Sequence, residues 1–227
     1  MIKLINICKT FNKNIKPFLL FENLNLNICK SKLTCIIGRS GCGKTTLLNI
    51  IGSLDSPDSG EVYINNINIT NYNEDELARY RNEKIGYIFQ DFILEKSMTV
   101  IENVCLPLVI KGVKKTERNK SALAILEKLD LLDKKDEIVL NLSGGEAQRV
   151  CIARALISNP DIILADEPTG QLDYENGQLI LTILKDLTIE GKTVVLVTHN
   201  LEDAKKYADE IITMNNGKII ETCSYEN

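Results

Sequence analysis

Residues 33–48 read Leu33-Thr34-Cys35-Ile36-Ile37-Gly38-Arg39-Ser40-Gly41-Cys42-Gly43-Lys44-Thr45-Thr46-Leu47-Leu48: an apolar run, a glycine-rich turn and an apolar segment of helical period in immediate succession. The run over 33–37 suits a strand covered on both faces. The turn is G-x-x-x-x-G-K-[ST] in the strand, loop, helix setting that its chemistry requires. At average residue usage the string alone arises by chance in roughly one chain of this length in a hundred, so the flanking elements carry weight. Glycines let the backbone curl until successive N–H groups point inward, and the helix N-terminus adds its dipole. Such a loop holds phosphates, with Lys44 reaching the terminal ones and Thr45 ligating magnesium.

Working outward, residues 85–89, 162–165 and 193–198 are three more apolar runs rich in β-branched residues. The N-terminal stretch instead alternates: Ile2 and Leu4 around Lys3, Ile5 and Ile7 around Asn6, then Leu24, Leu26 and Ile28. That is the period of half-buried antiparallel strands. Adjacent Leu4 and Ile5 break the alternation, which swaps the buried face unless a bulge absorbs one residue. Helical periodicity appears over residues 45–51, 74–82, 117–132, 146–157, 176–187 and 201–207. Residues 111–120 read as a solvated link between helices. The pattern predicts an α/β fold: a parallel sheet, an antiparallel β edge and a mainly helical insert, within a single domain whose core covers 1–90 and 158–227 and whose insert covers about 91–157.

Four strand ends deliver polar groups. Besides the loop at Gly38, Gln90 ends the run over 85–89, Asp166-Glu167 ends that over 162–165, and His199, the single histidine, ends that over 193–198. In open parallel sheets ligands sit beyond the carboxyl ends of strands. Asp166 suits a magnesium shell, and Glu167 one residue on is placed to polarise an attacking water. A strand-end glutamine or histidine can also serve structure alone, by capping a loop. Leu142-Ser143-Gly144-Gly145-Glu146 reads as a capping box at the start of a helix, Ser143 paired with Glu146. Two glycines in that first turn cost up to about 1 kcal/mol each relative to alanine, so the segment also reads as a second helix end open to an anion.

Composition bounds the partners. The 227 residues are 44% apolar and 26% charged, ordinary for a globular domain, and the formal charge of −4 gives no basic field to recruit nucleic acid. No apolar run approaches the roughly 18 residues of a membrane span, and Lys3, Asn6 and Lys9 interrupt any leader-like start, so a cytoplasmic chain is expected. The 7 cysteines are scattered without a C-x-x-C pair and read as reduced apolar residues.

These residues together resemble the ATP-binding cassette (ABC) family, over essentially the whole chain. Gly38 to Thr45 is similar to its Walker A loop in the P-loop NTPase core, Gln90 to the Q-loop, and Leu142 to Glu146 with Gln148 to the signature motif. Ile162 to Glu167 is similar to Walker B, Leu172-Asp173 to the D-loop and His199 to the switch histidine. Phe11 stands where the family stacks an aromatic residue on adenine. The resemblance implies ATP and Mg²⁺ as ligands, with Phe11, Gly38 to Thr46, Ser143 to Glu146 and Asp173 contacting nucleotide and Thr45, Gln90 and Asp166 around the metal. Glu167, His199, Lys44 and Gln90 are then the catalytic set. It also implies a head-to-tail dimer with another copy of the chain and separate membrane-spanning permease subunits, which would hold the chain at the inner face of the membrane.

Tyr87-Ile88-Phe89-Gln90-Asp91 and Pro168-Thr169-Gly170-Gln171-Leu172-Asp173 resemble the group serving lipoprotein release, macrolide efflux and antimicrobial-peptide export. That group usually has asparagine where Gln171 stands, and many cassettes have tyrosine where Phe11 stands. A cassette that regulates a membrane complex without transport, as in cell division, is the alternative function. Phe92, Ile93 and Leu94, apolar residues just after Gln90, are expected to open a docking groove for a short helix of a membrane subunit.

Overall fold

The computed structural model describes residues 2–13 and 16–225, and its first strand carries the predicted break in alternation. Strand β1 (Ile2–Lys13) pairs antiparallel with β2 (Lys16–Ile28), and the register slips between Leu4 and Ile7. Asn6 absorbs the extra residue at φ 51°, which leaves Leu4 and Ile7 both buried. Asparagine tolerates that left-handed conformation, and its N–H is satisfied by Asn25 Oδ1 at 3.0 Å.

The chain continues through β3 (Leu33–Gly38), α1 (Lys44–Ile51), β4 (Ser59–Ile64), β5 (Ile67–Asn68), α2 (Glu74–Lys84) and β6 (Ile85–Ile88). Three helices follow, α3 (Val100–Ile110), α4 (Lys115–Lys128) and α5 (Gly144–Leu156), then β7 (Ile162–Asp166), α6 (Tyr174–Ile189), β8 (Thr193–Thr198), α7 (Leu201–Tyr207), β9 (Glu210–Asn215) and β10 (Lys218–Ser224). One sheet is antiparallel in the order β2-β1-β4-β5; the other runs β10-β9-β3-β8-β7-β6, parallel except for β10. The four strands read from apolar runs are therefore the parallel core of the second sheet.

That sheet has a hydrophobic core on each face. Ile36, Ile162, Leu164, Val195 and Val197 pack with α1 and the antiparallel sheet. Their strand neighbours Cys35, Ile163, Ala165, Val194 and Leu196 pack with α3 to α6. Each fully buried Leu, Ile or Val contributes roughly 1.5–3 kcal/mol. Among the described residues no helix is long and apolar enough to cross a membrane.

Two boundaries differ from the sequence reading. Apolar period runs past the end of α4, but the helix stops at Lys128 in a Schellman motif: Asp130 takes φ 54° and the Leu131 N–H reaches Leu126 O at 2.9 Å. Leu131 is buried without being helical. The supposed link over 111–120 is short, because Gly112 closes α3 in the same way and α4 already begins at Lys115. Strands β4, β5, β9 and β10 and helix α3 were not expected as separate elements.

Candidate functional site

The loop between β3 and α1 curls through two left-handed glycines, Gly41 at φ 77° and Gly43 at φ 107°. At Gly43 a Cβ would also stand 2.8 Å from the Phe21 ring, so both conformation and space require glycine. Gly43 is the N-cap of α1 and gives it no side-chain cap, and the first turn holds no acidic residue. Its N-terminal N–H groups are thus left for an anion. Lys44 is buried, its Nζ donating to Gly38 O at 2.9 Å and Arg39 O at 3.2 Å, which holds the ammonium across the loop. Cys42 offers only its main chain here, since its side chain packs in the core below α1.

Around this loop lies a cleft of about 390 Å³ lined by Phe11, Phe18, Leu20, Ser40, Gly41, Gly43 to Thr46, Gln90 and Glu167. Gln90 follows β6, and Glu167 follows β7 in a left-handed conformation at φ 43° with its N–H bonded to Val197 O. His199, just past β8, places Nδ1 3.2 Å from Glu167 Oε2. The strand ends therefore bring the expected residues to one place. Asp166, last residue of β7, is buried, and its Oδ1 has no hydrogen-bond partner among the described residues. Burial pushes its carboxyl above the ordinary range, and the nearby charge of Glu167 adds to this, against a hydrogen bond from Thr45 and the charge of Lys44. An orphaned buried carboxylate oxygen beside a hydroxyl is what a divalent cation or its water would satisfy, so these residues fit magnesium.

Ser143 caps α5 as expected: Ser143 N–H donates to Glu146 Oε2 at 2.8 Å and Glu146 N–H to Ser143 Oγ at 3.4 Å. Ser143 and Gly144 are exposed, and none of Ser143, Gly144, Gly145, Glu146 or Asp173 lines the cleft. They meet each other instead. Asp173 caps α6 through the Asn176 N–H at 2.9 Å, and the Asn176 side chain lies so close to Gly145 that an added Cβ would stand 2.3 Å from its Oδ1. Gly145 is thereby explained by packing alone. Gly144 is not, since a Cβ there would meet nothing nearer than 3.5 Å.

The family model for ABC transporters matches residues 21–170, two phosphate-seeking helix ends included. The chain belongs to the ABC transporter family. It is 46% identical over 224 residues to the ABC transporter ATP-binding protein MJ0796 of Methanocaldococcus jannaschii, covering 96% of this chain and 95% of that one. Dimeric structures of MJ0796, one of them a post-hydrolysis state with ADP and Pi, align over 100% of both chains at TM-score 0.92 with 44% and 43% identity. Over 220 residues the cassette is also 46% identical to the macrolide export ATP-binding/permease protein MacB of Campylobacter jejuni, covering 97% of this chain but 34% of MacB. It is an ABC-type ATPase with the α/β cassette fold.

Beyond the cleft, the cassette has an apolar groove of about 530 Å³ where α2, β6 and α3 meet, lined by Leu54, Phe89, Ile93, Leu106, Pro107 and Ile110 among others. Of the three residues expected there, only Ile93 lines it. Phe92 is half-buried beside Gly144, and Leu94 packs onto the helical core. Phe18 and Leu20 in the cleft were missed altogether. Phe18 is the β2 partner of Phe11, so the cross-strand pairing of two aromatics was the signal, visible only once the hairpin register is known.

Proposed function

We propose that the cassette hydrolyses ATP to power a transporter whose membrane-spanning subunits are separate chains. It does so as a head-to-tail pair, each ATP lying between the phosphate loop of one copy and the Ser143 helix end of the other. The observation that carries this reading is that the two phosphate-seeking helix ends do not share a cleft: α1 opens into one, and α5 opens to solvent outside it. The dimeric structures of MJ0796 support the pairing. Ser143, Gly144, Gly145, Glu146 and Asp173 then form the face offered to the partner's nucleotide.

In the cleft, Phe11 holds the base, and Gly38 to Thr46 cradle the phosphates with Lys44 against the terminal ones. Thr45, Asp166 and Gln90 would hold magnesium. A magnesium ion held there would neutralise phosphate charge and polarise the terminal phosphoryl group. Glu167 accepts a proton from water as the water oxygen bonds to the terminal phosphorus and the bond to the bridging oxygen breaks, leaving ADP and phosphate. His199 orients water and phosphate beside Glu167.

We propose that residues 1–90 and 158–227 form the nucleotide-holding core and about 91–157 a helical subdomain, with partner contacts drawn from both. The 530 Å³ groove is the docking place for a helix of the permease, with Leu54, Ile93 and Ile110 as its exposed apolar residues. Docking beside Gln90 holds the cassette at the cytoplasmic face of the membrane and couples nucleotide state to permease shape. The substrate we propose is a drug, a peptide or a lipoprotein, and the macrolide export in MacB's name supports the first of these. Sedimentation tests the pairing: Glu167→Gln with Mg-ATP forms dimers, and adding Ser143→Arg abolishes them. A monomer in both cases overturns the proposal.

A further inference from the structure

Lys9 lies almost wholly inside the protein, two residues before Phe11 on β1. Its Nζ donates to Asp55 Oδ1 at 2.6 Å and to Ser56 O at 2.7 Å, and it stands 5.4 Å from the centroid of the Phe11 ring. That distance is within reach of a cation–π contact, which strengthens where the cation is withdrawn from water. Phe11 lines the nucleotide cleft; Lys9 does not. It lines a separate polar depression with Ser53, Asp55, Ser56 and Asp58. The Phe11 ring thus has the ammonium on one side and the cleft on another.

The partners of Lys9 come from the segment that follows α1, the helix whose N-terminus is the phosphate loop. The same segment is tied to β1 twice more, Thr10 N–H donating to Asp58 Oδ2 at 2.6 Å and Asp58 N–H to Cys8 O at 2.9 Å. Strand β1 and the segment after α1 are therefore laced together beside the aromatic residue. A buried lysine costs its hydration, so this one is held only because carboxylate, carbonyl and ring together replace water. Plain sheet packing would be served better by an apolar residue here.

We infer that Lys9 is a positioning residue for nucleotide recognition: held by Asp55 and Ser56, it fixes the Phe11 ring at a set distance from the phosphate loop and so selects ligands that carry a base as well as phosphates. It touches no nucleotide atom and acts through Phe11. The inference rests on the reading of Phe11 as the wall for the base.

Calorimetric titration of the full chain with ATP and with inorganic tripolyphosphate, which has phosphates and no base, separates the possibilities. Lys9→Met weakens ATP about fivefold and leaves tripolyphosphate unchanged, and Lys9→Arg keeps most of the ATP affinity. In a Phe11→Ala background, Lys9→Met adds nothing. Asp55→Asn, which leaves the Ser56 bond in place, shows the same split and serves if Lys9→Met does not fold. Equal weakening of both ligands, or of neither, overturns the inference. If Phe11→Ala alone leaves ATP affinity intact, the base-wall reading fails and takes the inference with it. If Phe11→Ala weakens ATP and neither Lys9→Met nor Asp55→Asn does, only the inference falls.

Discussion

Gln171 Nε2 donates to Asp91 Oδ1 at 2.7 Å, joining the segment after Gln90 to the turn that precedes Asp173. Asparagine, usual at this position in the resembling group, is one methylene shorter, so the longer side chain has a use here. Both residues are exposed, which keeps the contact modest. A double-mutant cycle of Asp91→Ala and Gln171→Ala, read by denaturant midpoint, should show coupling of about 0.5–1 kcal/mol. Additive single effects would mean the bond contributes nothing.

Catalytic roles separate by substitution at Glu167 and Lys44. Glu167→Gln keeps ATP binding and loses turnover by about a hundredfold or more, on the order of 2.7–4 kcal/mol at the transition state. Lys44→Ala loses tight binding itself. His199→Ala lowers kcat with little change in ATP affinity. Single-turnover hydrolysis and equilibrium binding on the same preparations read all three, and a Glu167→Gln protein that hydrolyses at the wild-type rate removes Glu167 from its role.

The two glycines at the start of α5 answer to different demands. Gly145→Ala drives a methyl into Asn176 and should cost about 1–3 kcal/mol of stability, with Asn176→Ala in the same chain restoring most of it. Gly144→Ala has room and should raise the melting temperature by at most about 2–4 °C, since it creates no strain and removes up to about 1 kcal/mol of helix cost. Its penalty belongs to ATP-dependent pairing. Thermal melting of the four proteins decides the matter.

The α5 cap gives a pH dependence of definite sign. Hydrogen bonds from the Ser143 side chain and backbone hold the Glu146 carboxyl below its ordinary range. A depressed acid adds stability that is fully present above its unfolded value and is lost as pH falls through the folded one. Ser143→Ala should cost about 1 kcal/mol at pH 7. That difference from the wild type should shrink as pH drops below the ordinary carboxylate value, and a gap that stays constant into acid would show the cap does not use the ionised form.

Most of the site was legible because its residues end strands that are apolar throughout, and a continuous run needs no partner to be seen. The bulge at Asn6 was legible too, since breaking a two-residue period has one cheap remedy. Strands β9 and β10 went unseen although Asn216 and Gly217 between them take φ 46° and 71°, the mirror-image turn that Asn-Gly announces in a hairpin. Helix α3 was hidden by being apolar nearly all round, with Pro107 inside it. Lys9 could not be found from sequence, because its meaning depends on Asp55, 46 residues away along the chain.

A single layer of hydrogen-bonded strands separates the two hydrophobic cores. Residues on alternate positions of the same strand, such as Leu164 and Ala165, therefore report to different halves of the molecule. Softening one side does not directly unpack the other: a cavity cut among α3, α4 and α5 slackens the face proposed to meet a partner, while the loop at Gly38 stays braced by α1 and the antiparallel sheet. The partition lets the cassette yield on its outer side and remain stiff where phosphate is gripped.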